Sequence, residues 1–150
     1  MKSAGAGLLA LALAACARGP AQPGPLDTRN DACSHCRMAV SDARFAAQIA
    51  APGEEPMFFD DLGCLRDHLR TRPRLPRGAV AFAADHRTRA WVRASRAVYT
   101  RRESVETPMS SHLLAHADAA SRDADPVAAG GTPVSAAEVF GPEGPPGGGP

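Results

Sequence analysis

Residues 57–70 read MFFDDLGCLRDHLR and predict a short strand that passes directly into an amphipathic helix. Asp60 or Asp61 can cap this helix, because an aspartate side chain accepts hydrogen bonds from the free N–H groups of a first turn. Leucines recur every three or four residues after the cap, with polar residues between them, which is the spacing of one helix face. The pattern therefore predicts a strand at 57–59 and a helix at 62–70.

The segments around this helix predict two further strands. Residues 44–50 read as a strand, and the Pro and Gly content of residues 51–56 predicts a turn. The strand at 44–50 is therefore expected to form a hairpin with 57–59. Two prolines end the helix, and residues 78–83 predict a third strand after it.

The second half of the chain predicts the same order of elements. Strands are expected at 89–93 and 97–100, and a helix is expected over 110–120 because its leucines lie on one side. A last strand is expected at 132–134, before a helical turn that Ser135 can cap. The sequence therefore predicts an α+β fold in which each half has the order strand, strand, helix, strand.

The N-terminus has the features of a bacterial lipoprotein signal peptide, expected over residues 1–15. Lys2 precedes an apolar run at 8–13 that is too short to span a bilayer. Small residues then precede Cys16, as in a lipobox, which predicts cleavage before Cys16 and its lipidation; an ordinary signal peptide is the alternative. Residues 16–30, rich in Pro and Gly, predict an extended linker. The expected location is periplasmic or cell-surface, with a lipid anchor in a membrane.

Composition and charge narrow the class of protein. The chain has 17 Lys and Arg against 16 Asp and Glu, which gives a net charge of +1. Nucleic acid is not an expected partner, because there is no basic excess to attract it. With only five Phe, one Trp and one Tyr, the core is expected to be modest and built on aliphatic side chains. Within the terminal segment 135–150, the Gly- and Pro-rich residues 141–150 predict a disordered tail after the helical turn.

Soft metal ligands crowd residues 33–38, which read CSHCRM. Thiolate and thioether sulfur together favour Cu(I), whereas a thioether is a poor ligand for zinc. Cys36 and Met38 are expected at alternating positions of a strand, which face the same side. The segment therefore predicts a Cu(I) site with Cys36 and Met38 as ligands and with Cys33 and His35 as further candidates.

Residues further along the chain extend the set of candidate ligands. His112 follows Met109 by three residues and would share one face of the helix predicted over 110–120. Cys64 falls on the apolar side of its own helix and is expected to be a buried, inert thiol. The remaining histidines are expected to face solvent, and they are His68, His86 and His116.

Other chemistries of the cysteines remain open from the residues alone. Cys33 and Cys36 can form a disulfide outside the cytoplasm, and Cys64 can pair with either. The same three cysteines with a histidine can hold zinc in a tetrahedral site. A Cys-x-x-Cys pair is also the motif of thiol-disulfide oxidoreductases, but the segment after Cys36 reads as a strand and no strand-helix-strand unit precedes it. No nucleophile–base set or phosphate-binding loop is visible, so the protein is not expected to be an enzyme.

Four motifs of this chain resemble those of the NosL family. They are Cys33-x-x-Cys36-x-Met38, Phe59-Asp60-Asp61-Leu62-Gly63-Cys64-Leu65, Trp91-Val92-x-Ala94-x-x-Ala97-x-Tyr99 and Thr107-Pro108-Met109. The resemblance covers about residues 31–134. NosL-like proteins are lipid-anchored copper chaperones that deliver Cu(I) to nitrous oxide reductase, the enzyme of denitrification, and they have two homologous ββαβ lobes.

The resemblance implies a fold, a site and partners for this chain. The lobes would span about 31–84 and 85–134, and the Cu(I) ligands would be Cys36, Met38 and Met109. Cys33, His35 and His112 remain further candidates for the coordination shell. The expected partners are a client cuproenzyme, foremost nitrous oxide reductase, and a protein that donates the copper.

Two departures from the family pattern lie beside the expected ligands. The family usually has Gly between the second Cys and the Met, where this chain has Arg37. It often has Gly after Pro-Met, where this chain has Ser110. Glycine is favoured wherever the backbone needs a positive φ, so these replacements matter if either position is left-handed.

Overall fold

Two antiparallel sheets and three short helices make up residues 19–147, the part of the chain that a computed structural model describes. The α+β class predicted from the sequence is confirmed. The predicted signal peptide, residues 1–15, and the predicted lipidation site, Cys16, lie outside the described residues. Within 19–147, no helix combines the length and the apolar character needed to cross a membrane.

The first sheet has four strands in the order β2-β1-β3-β4, each antiparallel to its neighbours. α1 connects β2 to β3, which flank β1 on opposite sides, so the arrangement is a split β-α-β unit. A continuous run of buried residues forms β1 and β3, as expected for central strands. The elements are β1 (Ala47–Ala50), β2 (Met57–Phe59), α1 (Leu62–Arg70), β3 (Val80–Ala84) and β4 (Trp91–Arg93).

The second sheet has three strands in the order β6-β5-β7, and it repeats the order strand, strand, helix, strand. In both sheets the first strand of the hairpin lies between the second strand and the strand after the helix. β4 pairs with β3 in the first sheet. The sequence analysis had assigned this strand, predicted at 89–93, to the second lobe. The elements are β5 (Val98–Arg101), β6 (Leu113–His116), α2 (Ala119–Asp123), β7 (Thr132–Val134) and α3 (Ala136–Phe140).

One hydrophobic core joins the two sheets. Phe59 and Leu65 from the first half and Tyr99 and Leu113 from the second are all at most 1% exposed and belong to one cluster of contacts. Four of the eight paired positions of β1 and β3 are alanines. The core is largely aliphatic, as the composition predicted.

α1 begins and ends where the sequence predicted. The Asp61 Oδ1 atom accepts the backbone N–H of Cys64 at 3.0 Å and so caps the first turn. The residues of this first turn are buried against the core, whereas Arg70 at the other end is exposed. The cap therefore fixes the end of the helix that carries Cys64.

The helix predicted over 110–120 is wrong, because most of this segment belongs to β6 and the turn before it. All four residues of β6 are buried, and a short continuous apolar run fits a buried strand as well as a helix. Ser110 and His112 have φ values of 53° and 56°, which a right-handed helix does not allow. The Thr107 hydroxyl instead accepts the backbone N–H groups of Ser111 and His112.

The strand predicted after Cys36 is also wrong, because the chain turns there. The backbone N–H of Arg37 donates to the carbonyl of Cys33 at 3.0 Å, and the N–H of Cys33 donates to the carbonyl of Met38 at 2.8 Å. Arg37 has a φ of 66° and is left-handed. Cys36 and Met38 are therefore not alternating positions of one strand, so that argument for a shared side does not hold.

The linker predicted over 16–30 packs against the first sheet over its described part. Ala21 is 4% exposed and contacts β1 and β3. The backbone of Gly24 exchanges two hydrogen bonds with the buried amide of Gln48, at 2.8 and 3.1 Å. The linker was expected to lack a core, but small and apolar residues between its prolines make these contacts.

The C-terminal segment confirms one prediction and corrects another. Ser135 caps α3 through a reciprocal capping box with Glu138, as predicted. Residues 141–147, predicted to be disordered, instead lie along the first sheet, where the carbonyl of Pro146 accepts the N–H of Ala81 at 2.9 Å. The backbone of a segment rich in Gly and Pro can therefore accept a hydrogen bond from a strand of the sheet.

Candidate metal centre

Three cysteine thiols come together where the turn at residues 33–37 meets the N-terminal end of α1. The Sγ atoms of Cys33, Cys36 and Cys64 all lie within 4.8 Å of one another, and none forms a disulfide. Cys33 and Cys64 are buried, whereas Cys36 is half-buried. We call these three residues the thiol cluster.

Local hydrogen bonds hold the thiol cluster in place. The N–H of Ser34 donates to the carbonyl of Phe58 at 2.8 Å and ties the 33–37 turn to β2. Cys64 projects from the first turn of α1, which Asp61 caps. The sequence prediction of a buried Cys64 is confirmed. Its thiol also lies within 4.8 Å of the other two thiols, a proximity that the sequence analysis raised only for a disulfide or a zinc site. The folding of the DDLGC segment as a capped helix is what brings it there.

Cys33 is the thiol most easily ionised in the cluster. Burial opposes its thiolate, but the backbone N–H groups of Cys36, Asp60 and His35 together outweigh burial and lower the pKa of Cys33. The N–H of Cys36 lies 3.5 Å from the Cys33 Sγ atom. Hydrogen bonds to sulfur favour the charged form, so Cys33 is suited to be the first thiolate that a metal ion meets.

The other two thiols resist ionisation. Burial raises the pKa of Cys36, and the neighbouring Cys33 thiolate raises it further. Burial also raises the pKa of Cys64 far above its usual range, with contributions from Cys33 and Cys36. Cys33 is therefore the thiol that loses its proton first, and an ion that binds all three sulfur atoms as thiolates must displace the protons of the other two.

Two of the sequence-predicted ligands, Met38 and Met109, have exposed side chains. They are 48% and 40% exposed, against a core that buries most apolar residues. Met38 and Pro108 both line an open cavity of about 550 Å³, so the turn after the cysteines faces the loop that carries Met109. The exposed thioether of Met38 in this cavity, and that of Met109 next to Pro108, are accessible to a soft metal ion or to a partner.

The two histidines proposed as further ligands lie outside the thiol cluster. His35 is exposed. His112 donates from Nδ1 to the carbonyl of Val105 at 2.9 Å, and its Nε2 atom lies 4.0 Å from the Glu103 carboxylate. Because the predicted helix is absent, the reason for placing His112 beside Met109 is removed.

A second group of potential metal ligands lies in the interior. His86, His116 and Asp125 each offer one ligand atom within 4.8 Å of the others, and all three are buried. We call them the histidine–aspartate cluster. His86 and His116 were predicted to face solvent, which is wrong: they are 4% and 0% exposed. His68, predicted likewise, is half-buried.

The chemistry of the thiol cluster is that of a soft-metal site. Three sulfur atoms at this spacing can surround one ion with two or three ligands, which suits Cu(I). Zinc would need a fourth ligand to complete a tetrahedron. The described residues therefore contain a group of three cysteines that could bind a metal ion.

Comparison with known proteins adds no assignment to this geometry: no protein-family description, no curated protein and no solved structure matches the chain.

Proposed function

We propose that this protein is a Cu(I) chaperone, anchored outside the cytoplasm through a lipid on Cys16, that passes copper to a cuproenzyme. Nitrous oxide reductase is the client that the NosL-like motifs favour, and a separate protein supplies the copper. The protein is not itself an enzyme in this proposal. The ion is cargo, which the protein must hold and then release.

The convergence of three free thiols is the observation that carries the proposal. Residues far apart in the chain supply them, since Cys33 and Cys36 come from a turn and Cys64 from α1. A cluster of cysteine sulfur atoms selects soft ions over hard ones. Cys33 serves as the anchoring thiolate, a role that the sequence alone suggested for Cys36.

Release requires a ligand that an acceptor can reach. Cys36 is the half-buried member of the thiol cluster. Met38, two residues later, has an exposed side chain that lines the 550 Å³ cavity, and Met109 is exposed next to Pro108, which lines the same cavity. We infer that these three side chains form the exchangeable side of the site. An acceptor thiol or thioether can then enter the coordination shell before Cys36 leaves it.

The burial of the cysteines disfavours a thiol-disulfide oxidoreductase. Such enzymes expose the first Cys of the pair at a helix N-terminus, where it attacks the substrate. Here Cys33 is fully buried and Cys36 is the more accessible thiol, and the pair lies in a turn. Zinc bound by the three cysteines and a fourth ligand is the remaining alternative.

The test is a competition titration of the reduced, detergent-solubilised chain with Cu(I) against a chromogenic chelator, without oxygen. We expect one Cu(I) per chain, bound far more tightly than Zn(II) in a parallel titration. Cys33→Ser and Cys36→Ser should each weaken Cu(I) binding severely. Ser41→Ala, an exposed position nearby, is the matched control and should leave the affinity unchanged.

Two results would count against the proposal. Preference for Zn(II) would make the thiol cluster a structural zinc site. Failure to bind Cu(I) in a chain whose circular dichroism shows the folded state would mean that the cysteines only pack in the core.

A further inference from the structure

We propose that the histidine–aspartate cluster is a second metal site, which takes a borderline divalent ion, Zn²⁺ or Cu²⁺. It is separate from the thiol cluster and does not depend on the proposed copper delivery. Its donors are two nitrogens and an oxygen, where the thiol cluster offers only sulfur. Each site would thus select a different kind of ion.

The geometry of the cluster is already close to that of a metal site. The Asp125 Oδ2 atom lies 2.6 Å from His86 Nδ1 and 2.9 Å from His116 Nε2. Bonds of about 2.0–2.1 Å from a tetrahedral zinc ion separate its ligand atoms by about 3.3 Å. The three side chains therefore need to spread by less than about 1 Å to admit an ion in place of the two bridging hydrogens.

Burial and charge both favour a cation at this point. The two histidines and Asp125 are at most 4% exposed, and the Asp125 carboxylate accepts a hydrogen bond from each of the two imidazole rings. A carboxylate in the interior attracts a cation strongly, because water does not screen it. One divalent ion and one carboxylate leave a single net positive charge in the site.

The unused ring nitrogens allow the tautomers that a metal requires. His86 Nε2 and His116 Nδ1 are buried and have no hydrogen-bond partner. When the facing nitrogens bind an ion, each neutral ring carries its hydrogen on the outer nitrogen. Each outer N–H is then a buried donor without an acceptor among the described residues, a cost that the bonds to the ion must outweigh.

A cavity of about 330 Å³ lies beside one member of the cluster, Asp125. Asp125 lines it together with Thr100, whose Oγ1 atom is buried without a hydrogen-bond partner. Thr100 lies on β5 next to β6, which ends at His116. A water molecule that enters this cavity can complete the coordination of an ion with three protein ligands.

An ion at this site would join three separate parts of the chain. His86 follows β3 in the first sheet, His116 ends β6 in the second, and Asp125 follows α2. The backbone N–H of His86 also donates to the carbonyl of Ala115 at 2.8 Å. Binding would therefore cross-link the two sheets and stabilise the folded state.

The first experiment uses the full-length, detergent-solubilised chain with all three cysteines of the thiol cluster replaced by serine. Co²⁺ and Zn²⁺ are titrated by calorimetry, and Co²⁺ also by absorption. We expect one ion per chain, with visible d–d bands of Co²⁺ and no sulfur charge-transfer band in the near ultraviolet. A Cu²⁺ titration in parallel shows which of the two borderline ions binds more tightly.

His116→Gln in the same background should abolish binding, whereas His112→Gln, which alters a histidine outside the cluster, should not. If His116→Gln fails to fold, imidazole NMR signals of the parent protein supply the readout, since Zn²⁺ should shift two histidines only. Absence of binding, or binding that a folded His116→Gln variant retains, would overturn the proposal. Both results are independent of Cu(I) binding by the intact thiol cluster.

Discussion

The backbone N–H of Met109 donates to the Asp61 Oδ2 atom at 3.0 Å, although 48 positions separate the two residues. The other oxygen of the same carboxylate caps α1 at Cys64. The first turn of α1 also packs closely against the loop that contains Met109, because a Cβ atom added at Gly63 would lie only 2.8 Å from the Ser111 Cβ atom. One buried carboxylate thus fixes the helix that carries a thiol relative to the loop that carries a thioether.

Replacing Asp61 tests this connection. In Asp61→Asn the side chain keeps its shape but presents an N–H₂ group where an oxygen accepted hydrogen bonds from Met109 and Thr107. We expect the free energy of unfolding to fall by about 1–3 kcal/mol, because buried donors lose their acceptor. Urea denaturation measures the change. Asp67→Asn, which alters only surface ion pairs, should cost less than about 1 kcal/mol.

Arg37 is expected to be a strained position. Its φ of 66° lies in the left-handed region, which costs a non-glycine residue about 1–2 kcal/mol. Arg37→Gly should therefore stabilise the protein by about 1 kcal/mol in thermal or urea unfolding. Arg70→Gly, at the exposed end of α1, is the opposite case and should destabilise it by up to about 1 kcal/mol. If Arg37→Gly and Arg70→Gly changed the free energy of unfolding equally, the backbone at Arg37 would not be strained.

Met109→Leu removes a thioether and keeps a side chain of similar size. Because Met109 is 40% exposed, the free energy of unfolding should change by no more than about 0.5 kcal/mol. Cu(I) affinity should fall by about tenfold, or ~1.4 kcal/mol, in the chelator competition. Val127→Ala alters another exposed apolar residue and should leave the affinity unchanged. An unaltered affinity in Met109→Leu would remove this loop from the site.

Asp85 should make the protein sensitive to acid. Although burial opposes its charge, hydrogen bonds from the Ala117 N–H, the Ser121 hydroxyl and the Thr88 N–H hold its pKa far below the ordinary value of 3.8. A carboxyl whose pKa is lower in the folded than in the unfolded state contributes stability above the unfolded value. That contribution is lost as the pH falls below about 4 towards the folded-state pKa.

Urea denaturation at several pH values from about 7 down to about 3 measures this effect. Asp85→Asn should be less stable at neutral pH and should show a shallower loss of stability below about pH 4. Asp123→Asn, at an exposed site, serves as the control. If the stability of Asp85→Asn falls with pH in the same way as that of the parent protein, other carboxylates cause the sensitivity to acid.

The first half of the fold follows closely from the sequence. The strand, cap and helix of residues 57–70 are local structures, and their leucine spacing and N-cap residue act within one or two turns. The second half was misread at 110–120, where four buried residues of β6 are paired through the sheet. Local spacing carries no information about that pairing, so the residues alone predicted a helix.

The two ligand clusters differ in the same way. Cys33 and Cys36 are near neighbours, and only Cys64 needed the fold to join them. The histidine–aspartate cluster has no local spacing at all: 39 positions separate His86 from Asp125. His86 lies three residues beyond the strand predicted at 78–83, and His116 lies inside the helix predicted over 110–120, so no local pattern indicated that the two histidines meet.

The packing of Ala21 against the first sheet has a consequence for where the protein can work. Under the proposed lipidation of Cys16, only four residues separate the anchor from Ala21, and this distance is no more than about 18 Å even when the chain is fully extended. The proposed anchor would then hold the domain close to the bilayer surface. The proposed copper acceptor would have to present its own metal-entry site near the lipid headgroups.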